Sequence, residues 1–124
     1  MRLKRSRLHE YYHRQAVQKK DGEGSTCTKY AGAVPFLAEM WAGGGEAQEK
    51  MYGTELPNIR NLRIDGKYRE ISESRGKISY QLSDGPTITV NDGVCIYTDP
   101  QSEPDYQVVA IYPYRFLTLE VKKL

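Results

Sequence analysis

The sequence predicts an all-β fold, a small single-domain β-barrel or sandwich with a long loop after the second strand and an extra hairpin. Three observations point there. The apolar runs are short and separated by clusters of Gly, Pro, Asn and Asp. Several runs alternate apolar and polar with the period of a strand. Ten tyrosines in 124 residues supply a side chain that favours strands and suits a surface with one wet end. A chain of this length buries one modest core. Its 39% apolar and 27% charged residues place it among globular rather than disordered sequences.

Residues 1–9 read as a basic arm and 10–124 as the barrel domain. Residues 1–20 carry a net charge of +6 and the remainder −4, which together give the chain's +2. Arg2, Lys4, Arg5 and Arg7 are interleaved with Leu3, Ser6 and Leu8, so the arm has no deep core face. Such a segment binds an acidic protein surface or nucleic acid, or is a solvated terminus. "YYHRQAV" (11–17) suits either strand or helix, and the turn cluster "KKDGEGST" closes it. "AVPFLAEMWA" (33–42) is a strand with Val34, Phe36, Ala38 and Met40 on one face and Leu37, Glu39 and Trp41 on the other.

The pattern then breaks. Gly43 to Asn61 opens on three glycines and forms the long loop, within which "EAQEKM" suits a short helical turn. "IRNLRI" resumes the strands. Residues 66–83 give the extra hairpin around "ESRG", with Ile78, Tyr80 and Leu82 alternating. "PTITV" and "VCIYT" flank an Asn-Asp-Gly turn. "DPQSEPD" is an acidic loop, and "YQVVAIYPY" and "RFLTLEVKKL" end the chain with Leu117, Leu119 and Val121 inward. Some six or seven short strands result.

"HEYYH" (9–13) has the letters of a zinc-protease motif and contains both histidines of the chain. That site needs a helix, where residues four apart stack within about 6 Å. On a strand they lie about 13 Å apart, too far for two ligands that each hold zinc at about 2.1 Å. The expectation is therefore no metal, no cofactor and no catalytic residues. No phosphate-binding loop or calcium loop is present in the sequence, and no Ser or Cys nucleophile has a histidine available outside the N-terminal segment. Cys27 and Cys95 fit no metal spacing, and no apolar run reaches the roughly 20 residues of a membrane span. A soluble protein of a reducing compartment with free thiols is expected, with no membrane partner.

Met51 to Gly53 in a glycine-bounded loop, the Asp65-Gly66 turn, Asp92 to Ile96, and Pro104 to Tyr106 ahead of two closing strands form an ordered series. In this order and spacing, the chain resembles the head–tail joining proteins of tailed bacteriophages and phage-like particles, also called head-completion, head-closure or stopper proteins. The resemblance spans roughly residues 10–124. It implies a homo-oligomeric ring at the virion neck, assembled in the bacterial cytoplasm. Portal or adaptor protein would lie on the head side and a tail terminator or tail-completion protein on the tail side. Genomic DNA would pass through the channel without sequence-specific binding, and the 43–61 loop would line or plug that channel. The hairpin at 66–83 departs from the family pattern. A ring subunit must bury lateral and axial faces, so Trp41, Met51, Tyr52, Leu56 and Ile59, with Arg2, Lys4, Arg5 and Arg7 of the arm, are the candidate partner-binding residues. A tail-completion or terminator protein is one alternative. A basic-armed nucleic-acid-binding barrel whose aromatics stack on bases is the other.

Overall fold

The alternating segments form eleven strands among the residues described, which are 5–20, 22, 24, 26–72, 76, 78–83 and 85–124 of a computed structural model. They are β1 (Leu8–Arg14), β2 (Ala16–Lys20), β3 (Thr26–Tyr30), β4 (Val34–Ala42), β5 (Ile59–Ile64) and β6 (Tyr68–Ser72). The rest are β7 (Ile78–Leu82), β8 (Thr87–Thr89), β9 (Gly93–Cys95), β10 (Tyr106–Pro113) and β11 (Leu117–Lys123). Six of them close an antiparallel barrel in the order β1-β4-β5-β11-β10-β9. β2 and β3 form a separate two-stranded ribbon, and β6-β7-β8 a three-stranded sheet.

Strand period decides what lies inside. Phe36 and Ala38 of β4, Leu62 and Ile64 of β5, and Leu117, Leu119 and Val121 of β11 fill the barrel with Tyr11, Val94, Tyr106 and Val108. Tyr80, Leu82 and Ile88 bring the three-stranded sheet onto the same core. Leu37 and Trp41, on the opposite face of β4, are exposed as the alternation requires.

Three expectations need correction. The strand count of six or seven fits the barrel alone, because the ribbon and the second sheet add five short strands. The long loop follows the second strand of the barrel but the fourth of the chain, since the ribbon is inserted between β1 and β4. "PTITV" and "VCIYT" do not pair around their turn: β8 belongs to the three-stranded sheet and β9 to the barrel. Asn91 takes a positive φ of 82° there and redirects the chain from one sheet to the other. Most of "ESRG" lies outside the described residues, and the β6–β7 pairing on either side of it is a hairpin register. β1 begins at Leu8 and β5 at Ile59, so strand structure reaches into both the arm and the loop segments.

Candidate partner-binding surface

The segment between β4 and β5 forms a seven-residue helix, α1 (Glu46–Tyr52), followed by a 3₁₀ turn over Gly53–Asn58. Gly53, at φ 53°, permits the change of direction between them. Neither piece contains a fully buried residue. This excursion lies against the outer face of the barrel wall.

The ladder register explains where it docks. Asn61 on β5 stands opposite Trp41 of β4 and Glu120 of β11, so the three form one cross-strand row outside the core. The Gln48 side-chain amide donates to Asn61 Oδ1 at 2.8 Å, and Gln48 Oε1 accepts from the Gly44 amide at 2.8 Å. Ile59, two residues from Asn61 on the same strand face, is fully buried. Gly43 closes over it: a Cβ at Gly43 would sit 3.0 Å from Ile59 Cβ. Lys122 forms an ion pair with Glu55 of the 3₁₀ turn.

Glu120 is the unusual member of the row. It is 1% exposed, and its Oε2 accepts a 2.8 Å hydrogen bond from the Tyr112 hydroxyl. Its Oε1 is buried without a hydrogen-bond partner among the described residues, and an unpartnered buried acceptor is costly. The hydrogen bond to Glu120, together with partial burial and the carboxylate charge, pushes the Tyr112 phenol up to about 12. Tyr52, at the end of α1, is also raised, by burial first and by Glu120 second. Both phenols are held protonated in the folded state, so the stability they contribute is complete below the ordinary tyrosine value of 10 and falls as pH rises towards 12. Alkaline titration should therefore loosen the excursion before the barrel. Amide exchange over 44–58 checks this, and Tyr52→Phe with Tyr112→Phe should flatten the dependence.

The sequence candidates are distributed as follows. Arg2 and Lys4 lie outside the described residues, as does the side chain of Arg5. Arg7 ends a short 3₁₀ turn and reaches Glu39 of β4 at 3.4 Å. Trp41 is 38% exposed, with the Arg63 guanidinium 4.9 Å from its ring centre. Met51 is 64% exposed on α1, while Tyr52 and Leu56 are half-buried. Ile59 is covered by the excursion and presents no surface to a partner in this conformation. A groove of about 740 Å³ joins Arg7, His9, Trp41, Ile96 and the exposed Tyr97.

The "HEYYH" histidines are on β1, at strand spacing, and the helical zinc geometry does not form. His13 instead takes part in a buried cluster that sequence reasoning did not identify. Its Nε2 lies 2.6 Å from Asp92 Oδ2, and both side chains are almost fully buried. Asp92 also accepts from the Ala16 amide through Oδ1 at 3.0 Å and from the Thr89 amide through Oδ2 at 2.9 Å. The adjacent Arg14 donates to the carbonyls of Tyr30, Ala31, Pro100 and Ser102. One cluster thus ties together β1, the base of the ribbon, the end of β8 and the acidic loop. The Asn-Asp-Gly letters were its only signal, and they equally describe an ordinary turn. Gly93 is required there because a Cβ would meet Pro104 Cγ at 2.5 Å.

Cys27 is exposed and Cys95 buried, and neither forms a disulfide. Among the described residues, no helix is long and apolar enough to cross a membrane. A scan of protein-family models and searches of curated proteins and solved structures return no match to this chain.

Proposed function

We propose that this chain is a structural ring subunit of a phage or phage-like neck, joining the portal or adaptor to the tail and retaining packaged DNA. The observation supporting this reading is the spread of exposed apolar and aromatic side chains over separate parts of a small closed barrel. Leu37 and Trp41 lie on β4, Met51 on α1, Tyr97 before the acidic loop, and Tyr114 between β10 and β11. A subunit that contacts copies of itself laterally and different proteins axially needs apolar side chains on several faces, and these residues supply them. The excursion is a suitable channel element. It contains no fully buried residue, and three consecutive glycines precede it. The acidic balance of residues 21–124 suits a conduit from which DNA must be able to leave.

Disrupting the chain in cells that produce the particles should leave DNA-filled heads without tails, or heads that leak. Normal tailed particles would sink the reading. An affinity of the purified chain for DNA that is tight and falls steeply with salt would point instead to a nucleic-acid-binding barrel.

A further inference from the structure

The β2–β3 ribbon is the least explained part of the fold. Its strands pair only with each other, in register from Ala16 opposite Tyr30 to Lys20 opposite Thr26. Val17, Gln18, Cys27, Thr28 and Lys29 are all exposed, so neither face of the ribbon is covered where it is described. A two-stranded ribbon without a third strand or a packing layer is marginal in water. This one nevertheless has a fixed base. Arg14 binds the carbonyls of Tyr30 and Ala31, Ala31 N–H donates to the Gln15 carbonyl at 2.8 Å, and Asp92 holds the Ala16 amide. A buried polar cluster therefore sets the direction of an arm that has no partner within the described residues.

Charge indicates what covers it. The ribbon strands bear Lys19, Lys20 and Lys29 and no acidic residue, while the sequence joining them adds Asp21 and Glu23, so residues 16–30 carry a net +1 with the positive charge on the strands. The segment Tyr97–Asp105 bears Asp99, Glu103 and Asp105 and no basic one. Asp105 is used internally, capping the Ile96 and Tyr97 amides. Asp99 and Glu103 are exposed and form no ion pair among the described residues. Tyr97, 67% exposed, adds apolar area beside them.

We propose that the Ala16–Tyr30 ribbon is an arm that binds a second copy of this chain, seated on that copy's acidic Tyr97–Asp105 segment. This names the lateral contact of the ring proposed above and rests on that reading.

Cys27 gives a direct probe, since it is exposed on the ribbon while Cys95 is buried. The full chain is followed by sedimentation over a concentration series while Cys27 is labelled with a maleimide. Self-association with labelling slowed at least tenfold in the assembled fraction is expected. Asp99→Lys with Glu103→Lys should weaken association by tenfold or more, and adding Lys19→Glu with Lys29→Glu, at register positions that share a face with Cys27, should restore it. A chain that stays monomeric overturns the proposal. So does an oligomer in which Cys27 labels as fast as in the monomer, or one indifferent to the charge reversal. If the reversed variant fails to fold, the wild-type labelling decides alone. Failure of the neck function would appear as normally tailed particles without the chain and would leave this self-association untouched.

Discussion

Asp92→Ala should cost the fold about 3–5 kcal/mol, the largest loss expected from one side-chain truncation here. The carboxylate accepts from the Ala16 and Thr89 amides and pairs with His13, and alanine leaves all three without that partner. His13 is affected most, because it is buried away from solvent that could replace the lost bond. The urea midpoint should fall with little change in slope. Asp92→Asn, which keeps one acceptor oxygen, should lose less, about 1–3 kcal/mol. The same truncation removes one of the three holds on the ribbon base, leaving Arg14 and the Ala31–Gln15 bond, so Cys27 should be less protected in the assembled state even where the barrel survives. A loss below about 1 kcal/mol for alanine would mean that water replaces the carboxylate and that the cluster does not anchor the ribbon.

Ile59→Ala comes next, at about 2–4 kcal/mol. Ile59 is fully buried, yet it lies outside the main barrel core, under the excursion and against Gly43. The cavity would open between barrel wall and excursion, and the excursion holds on through few other contacts, chiefly Gln48 with Asn61, Glu55 with Lys122 and Tyr52 beside Glu120. Two effects should therefore appear together: lower global stability and faster amide exchange across 44–58. If stability falls while exchange in that segment stays as slow as in the wild type, the excursion is not held by Ile59. The substitution also separates folding from binding at this position, because a side chain with no exposed area acts on a partner only through the segment it supports.

How much of this was legible beforehand follows from the range of each interaction. The alternation in "AVPFLAEMWA" and in "RFLTLEVKKL" is local, and it correctly divides Phe36 and Ala38 from Leu37 and Trp41 and turns Leu117, Leu119 and Val121 inward. The same period, read on β1, separates the two histidines of "HEYYH" along a strand. Short runs broken by turn residues were enough for a small all-β barrel or sandwich, and the triple glycine marked the excursion with its helical turn at 46–52.

The tertiary structure alone decided which strands meet and what is trapped where they do. His13 and Asp92 are 79 positions apart, and no local pattern distinguishes an Asp that ends a turn from one that anchors a buried histidine. Glu120 follows the strand period on the solvent side of β11, where a charged residue reads as exposed. It is buried because a segment some 70 positions earlier folds back over it. Ile59 has the mirror-image history, an apolar residue at a strand start that looks available to a partner until the excursion covers it. Side-chain period is a property of each strand by itself. Closure, burial of the outer row and the direction of the ribbon depend on contacts between distant strands, which the chain makes only once it is folded.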